Sequence, residues 1–363
     1  MATLQQHLRV ESGPPVATTH PPCDLAANVQ LREIPSLSGL RAFASLTVVL
    51  CHVVSPSIPG PYAVTLFFAL SGFLITILLC REIAATGAID IRGFYLRRVR
   101  RLLPAYYVWL AAVVLFLTGR VTPEIAAAAF YLSDYFNAWV RQGPISHTWS
   151  LSVEEHFYLL WPIILSASFR SKRFVPAIVA AIVIVQAARF AFASAYPLYF
   201  FYSFEAKIDA LLLGCLLGIW AVRGGVLPAF LIHRWSLILS VAGWIVCAFL
   251  PSVQIRTIGN TVVAWLSVLL IAQVVASPPA ILNNRVTSYL GNRSYGLYLY
   301  HVLVRGLYMA LMPASRGTNF NVHGPANQVA VILLSIGAAS LSYRYVERPL
   351  RSCKSFRAHL AVQ

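Results

Sequence analysis

The stretch Ser38–Val54, SGLRAFASLTVVLCHVV, decides the fold. It is apolar or small throughout, apart from one guanidinium, Arg41, and one imidazole, His52. A bilayer core needs about 20 such residues in a helix, so this stretch with its flanks is long enough to cross. Eleven residues separate Arg41 from His52, which is about 16 Å of helix at 1.5 Å per residue. Ionisable groups are costly at membrane depth, so both are candidates for function.

Comparable apolar segments recur along the chain. They run from about Ala63 to Cys80, Leu102 to Leu117, Trp149 onward, Phe174 to Ala193 and Ser203 to Val222. Others follow from about Trp235 to Leu250, Thr257 to Val275, Ser288 to Met312 and Pro325 to Tyr345. The 363 residues are 58% hydrophobic and 11% charged, and the mean hydropathy is +0.70. A soluble domain carries roughly a quarter charged residues. In lipid every backbone polar group must be satisfied internally, which leaves helices or closed barrels. The ten-residue alternating segments of a barrel are absent, so the expected fold is all-α, a polytopic integral membrane helical bundle.

Residues 119–148 are interrupted by Asp134 and Asn137 and are expected to be partly buried or re-entrant without crossing. About ten transmembrane helices then result, with the N- and C-termini cytoplasmic. In that arrangement the connectors with Arg81–Arg101, Arg170–Arg173, Arg223, Arg234 and Arg285 share one side with the tail Arg344–Arg357. Only Arg120, Arg141, Arg256 and Arg316 fall opposite, as the positive-inside rule requires. Pro104 is expected in the first turn of the third helix, where proline is tolerated. Residues 1–35 are expected to form a disordered tail, 36–350 the membrane domain and 351–363 a basic cytoplasmic tail.

The net charge of +16 is explained by these connectors, and no nucleic-acid partner is expected. The six cysteines are scattered, without CxxC or His/Cys ligand spacing, so neither a disulfide framework nor a metal site is expected.

Four polar constellations remain. FYLRRVRRLLP places Arg98 and Arg101 three apart on one helical face, where two guanidinium forks suit a polyphosphate. HTWSLSVEEHFYLLWP places Glu154 and Tyr158 four apart on another. YSFEAKIDALLLG brings Glu205, Lys207 and Asp209 to the outer end of the sixth segment, as catalytic groups or as an ion-pair network. NRSYGLYLYHVLVR carries His301, a satisfied core histidine or part of a site. The topology sets His52, Glu154, Asp209 and His301 in the outer half of the membrane and the arginines at the inner mouth.

At these residues the chain resembles the acyltransferase-3 family of integral membrane O-acyltransferases. The matching pieces are SLSGLRAFASLTVVLCHV, FFALSGFLIT, FYLRRVRRLLPAYY, HTWSLSVEEHFYLLWP, IDALLLGCLLG, SYGLYLYH and YRYVERPL, in the family's order across residues 35–350. The resemblance implies a multi-pass protein of a bacterial inner or plasma membrane. It implies transfer of an acyl group, usually acetyl, from cytoplasmic coenzyme A to a hydroxyl of a carbohydrate or other acceptor. It assigns the Arg-x10-His pair to Arg41 and His52, and the Arg-x-x-Arg pair to Arg98 and Arg101, with Arg97 and Arg100 at the same spacing. Glu154 takes the acidic position of the WSLSVE motif, followed by Tyr158. Two departures are His156 in place of a common Gln and Lys207 in place of a common Arg. The soluble esterase-like domain that some members append is not expected here.

The expected chemistry follows. Acetyl-CoA, the acyl donor, docks its phosphates on Arg98, Arg101, Arg97 or Arg41, and its arm carries the thioester to His52. His52 is the general base, with Glu154 or Asp209 orienting its ring. Ser71 lies in a matching motif, without an identified base for a covalent intermediate. The acceptor is a surface or exopolysaccharide precursor, or alternatively a small molecule such as a macrolide or lipid precursor. A transporter or flippase of a glycan or lipid is the alternative of another class.

Overall fold

The computed structural model describes residues 35–223, 234–248, 259–276, 278–316 and 322–351. Most of the two expected tails therefore lies outside the described residues, as do Leu250, Arg256 and Thr257. Among the described residues the chain is helical, with one isolated bridge between Arg316 and Val322.

Helix α1 spans Pro35–Val53. The prolines of SPSIPGP then stop it, and α2 starts at Gly60 with Pro61 in its first turn, where the missing N–H costs nothing. Helix α2 continues to Thr86, 27 residues in all, and ends on Gly87 at φ 79° with its N–H bonded to Ile83 O. It is the central helix. Helix α9, Ile208–Val222, packs against it through glycines on both sides. A Cβ at Gly72 would lie 2.0 Å from Leu211 O, and one at Gly214 would lie 2.1 Å from Ala69 O. Small residues at such crossings let two backbones approach closely in a membrane.

Helix α3 corrects the expected boundary. It begins at Ile91, not Leu102, so the arginines of 92–101 ride on a helix and do not form a connector. Asp90 caps it, its side chain accepting from Gly93 N at 2.8 Å. Arginine is a good helix former, so an amphipathic basic turn extends the apolar segment without raising its hydropathy. Pro104 lies inside α3, not in its first turn. After Val113 the helix passes into a π turn, Val114–Thr118.

Residues 119–148 hold two seven-residue helices, α4 (Pro123–Ala129) and α5 (Ser133–Trp139), and a 3-10 turn at Ser146–Thr148. Each helix is about 10 Å long, too short to cross. The polar residues that break the apolar pattern fold inward. Asp134 is fully buried and faces His156 at 3.4 Å, and Asn137 donates to Ser146 O at 2.8 Å.

Then come α6 (Trp149–Ser168), α7 (Phe174–Phe192) and α8 (Pro197–Tyr202). The expected segment Ser203–Val222 becomes helical only from Ile208, as α9. Helices α10 (Arg234–Ala248) and α11 (Asn260–Ala276) follow. The expected Ser288–Met312 is two helices, α12 (Arg285–Asn292) and α13 (Ser294–Leu311), broken at Arg293. Asn284 starts α12 with a capping box shared with Thr287. Last is α14 (Pro325–Ser342), continued by a π turn at Tyr343–Glu347 and by Arg348–Arg351.

Five of these helices are long and apolar enough to cross a bilayer: α1, α2, α3 with its π turn, α7, and α14 with its continuation. Helices α7 and α14 turn Val183, Ile184, Leu333 and Leu334 outward, as lipid contact requires. The protein is a multi-pass helical membrane protein.

Candidate functional site

A cleft opens where α1, α2, α3, α6 and α13 meet. Its polar lining includes Arg41 from α1, Ser71 from α2, Arg98 and Arg101 from α3, and Glu154 and Tyr158 from α6. Three-residue spacing on α3 brings the two arginines to one face, and four-residue spacing on α6 does the same for Glu154 and Tyr158.

Hydrogen bonds link these side chains across the helices. Ser71 Oγ donates to Glu154 Oε1 at 2.7 Å and lies 3.0 Å from Tyr158 Oη, which donates to Glu154 Oε2 at 3.4 Å. The Arg98 guanidinium stacks 4.6 Å from the centre of the Tyr158 ring. Arg41 Nε donates to Ser294 Oγ at 3.2 Å. Arg101 Nε is buried without a hydrogen-bond partner. Three guanidiniums lining one cleft leave donors over for an anion, and forked donors suit phosphate.

Arg97 stands apart from this cleft. It pairs with Glu82 at 3.5 Å and with Asp90 at 4.0 Å, and its side chain is 38% exposed. The helical face therefore separates the two Arg-x-x-Arg registers: Arg98 and Arg101 enter the cleft, and Arg97 does not.

His52 is not in the cleft lining. Its Nδ1 lies 3.0 Å from Nε2 of His301, a ring with no solvent exposure. Arg305 Nη1 donates to His52 O at 3.0 Å. His147, from the 3-10 turn before α6, sets its ring 5.3 Å from that of His301. On α13, His301 is seven residues from Ser294, the partner of Arg41, so the histidines lie about 10 Å along the bundle from the cleft floor. Tyr298 stands between. It lines the cleft, bonds Ser150 Oγ at 2.5 Å, donates to His147 O at 2.9 Å and keeps its ring 5.9 Å from that of His301.

Neither expected carboxylate orients His52. Glu154 belongs to the cleft through Ser71 and Tyr158. Asp209 is held by Arg189 of α7 through two bonds, Nη2 to Oδ1 at 2.7 Å and Nη1 to Oδ2 at 2.8 Å. Arg189 also reaches Thr261 Oγ1 and Ala206 O, so this pair ties α7, α9 and α11 together away from the histidines. The structure thus brings Asp209 to a buried arginine and not to His52. The sequence held the signal: one arginine in an apolar segment needs an internal partner. Lys207 is buried with its ammonium 5.2 Å from the Phe201 ring and 5.8 Å from that of Trp149, and Glu205 accepts from the hydroxyls of Tyr135 and Tyr199. The third sequence constellation thus divides into three separate contacts. Arg189, His147 and Arg305 were not singled out from the sequence. Among the described residues no group of three His, Cys, Asp or Glu side chains could hold a metal ion.

An acyltransferase domain model matches residues 34–344, a span that takes in the arginine cleft and the histidine pair. The chain belongs to the acyltransferase-3 family. Relatives include a putative peptidoglycan O-acetyltransferase, YrhL, of Bacillus subtilis, 30% identical over 90% of this chain and 56% of that protein. O-acetyltransferase OatA of Staphylococcus aureus is 31% identical over 90% of this chain and 58% of its own length. Peptidoglycan O-acetyltransferase OatA of Listeria monocytogenes is 29% identical over 88% and 56%. The chain thus spans a little over half the length of these acyltransferase-3 relatives. No solved structure gives a significant match.

Proposed function

We propose that this acyltransferase moves an acetyl group from cytoplasmic acetyl-CoA to a hydroxyl of a cell-surface carbohydrate, with peptidoglycan as the first acceptor to test. The observation that carries this reading is the succession along α1: an arginine-lined cleft at Arg41, and a histidine pair eleven residues further on. Arg41, Arg98 and Arg101 hold the donor's phosphates. The extended arm passes Ser71, Glu154 and Tyr158, whose polar atoms suit its amides, and moves Tyr298 aside to bring the thioester to His52. His52 then takes the proton of the acceptor hydroxyl. Glu154 orders the cleft and leaves the imidazole to other partners.

The reading includes ten crossings in a bacterial plasma membrane with both termini cytoplasmic, so that the arginine mouth meets the donor and the histidines face the acceptor. Peptidoglycan is the acceptor for which the relatives from Bacillus subtilis and Listeria monocytogenes are named, and an exopolysaccharide precursor offers the same hydroxyl chemistry.

The test is transfer of radiolabel from [14C]acetyl-CoA to soluble peptidoglycan fragments by the purified protein in nanodiscs. Transfer by the wild type and none by His52→Ala, at equal recovery of folded protein, is the expected result. Full activity of His52→Ala removes the base. Acetylation of none of the carbohydrates offered redirects the reading to a small-molecule acceptor.

A further inference from the structure

His52 and His301 form a hydrogen bond in which the roles of the two rings are not interchangeable. His301 Nδ1 lies 3.2 Å from Leu297 O, the carbonyl one turn earlier on α13. A carbonyl oxygen only accepts, so in the neutral ring Nδ1 carries the proton and Nε2 bears the lone pair. That lone pair faces His52 Nδ1 at 3.0 Å. The bond therefore requires a proton on His52 Nδ1, which leaves His52 Nε2 as the unprotonated nitrogen. The opposite tautomer of His301 would set its Nδ1 lone pair against the Leu297 carbonyl, around a ring with no solvent exposure, so only the first assignment satisfies both contacts. Arg305 fixes the end of the same segment through His52 O.

We infer that His301 is a positioning residue that holds His52 in the tautomer with a free Nε2, the form able to act as a base. The inference rests on the reading of His52 as the base. In the step it serves, the acceptor oxygen bonds to the acyl carbon and its proton moves to His52 Nε2. The carbon–sulfur bond breaks, and the departing thiolate takes that proton back. During the step the Nδ1–H donated to His301 stabilises the ring as its charge rises, the part that a carboxylate plays in hydrolase triads. A neutral acceptor does this without adding a second charge at membrane depth.

Two variants separate this role from simple packing. Gln at position 301 can offer an amide oxygen to His52 Nδ1–H, whereas Leu fills similar space and offers nothing. With [14C]acetyl-CoA and peptidoglycan fragments in nanodiscs, His301→Leu is expected to lose about 100-fold in kcat, by analogy with misoriented catalytic imidazoles. The donor KM stays within about twofold, because uniform binding is untouched. His301→Gln recovers to within about tenfold of wild type, since it restores the acceptor to the tautomer. Equal activities for the Gln and Leu variants, whether high or low, overturn the inference. Activity retained in His52→Ala overturns the underlying reading instead, so the two failures are distinguishable.

Discussion

Ser71 Oγ on α2 donates to Glu154 Oε1 on α6 at 2.7 Å, inside a cleft also lined by Arg41, Arg98 and Arg101. The pair resembles a nucleophile with its base. It also lies in a cleft whose lining includes neither His52 nor His301, so an acyl group left on Ser71 would be apart from them. Tyr158 supplies Glu154 with a second hydroxyl, so the carboxylate keeps a donor when Ser71 is removed. Ser71→Ala is therefore expected to lose one neutral hydrogen bond, about 1 kcal/mol or roughly fivefold in kcat/KM. Glu154→Ala, which removes the carboxylate that both Ser71 and Tyr158 bond, is expected to lose more than tenfold in the same acetyl-transfer assay. Complete inactivity of Ser71→Ala with the fold intact would instead make Ser71 the carrier of a covalent intermediate.

The arginines of α3 divide by face. Arg98→Ala and Arg101→Ala are expected to raise the donor KM, each by about tenfold for one lost charge-assisted contact. Lysine at either position recovers part of the loss, since it keeps the charge without the fork. Arg97→Ala is expected to leave the donor KM within about twofold, because a partly exposed ion pair contributes little. Steady-state kinetics with varied acetyl-CoA decide this. Equal effects at positions 97 and 98 would mean that the arginines act only as a collective surface charge.

The Arg189–Asp209 pair predicts a stability effect in place of a catalytic one. Both side chains are buried, and removing one strands the other, at a cost of about 3–5 kcal/mol. Asp209→Leu is expected to lower the melting temperature of the detergent-solubilised protein sharply, with activity falling only as folded protein is lost. The double replacement Arg189→Leu with Asp209→Leu should regain most of that stability, because two apolar side chains need no partner. A double variant that melts normally yet transfers nothing would return Asp209 to the chemistry.

Much of this architecture is legible in the sequence. Apolar segment lengths gave the helical membrane fold, and the polar breaks at Asp134 and Asn137 marked the segment that does not cross. The spacing on α3 put Arg98 beside Arg101, and Glu154 and Tyr158 paired as their four-residue separation implies. What could not be read was which distant partner each polar residue had. Asp209 and His52 both sit at helix ends on one side of the bundle, and only the packing of α7 shows that Arg189 takes the first. His301 takes the second, a partner the motif contained but periodicity could not assign. The start of α3 is hidden for a local reason: Asp90 caps a basic turn that hydropathy scores as a connector.

The crossing of α2 with α9 carries the last prediction. Gly72 follows Ser71 directly, so the backbone contact that brings α9 in also sets the height of the cleft wall. A methyl group at position 72 would meet Leu211 O at 2.0 Å, and backbone cannot yield as a flexible side chain can. Gly72→Ala must push the helices apart, at a cost of about 1–3 kcal/mol or more for overpacking. Gly337 on α14 has nothing within 4 Å of an added Cβ, so Gly337→Ala provides the matched control and gains slightly in helix propensity. In size-exclusion chromatography of detergent extracts, Gly72→Ala is expected to give less monodisperse protein and a lower melting temperature, and Gly337→Ala a wild-type profile. Normal recovery of Gly72→Ala with full acetyl transfer would show that the two helices separate without consequence for the site, and that the close approach is not what positions Ser71 and Glu154.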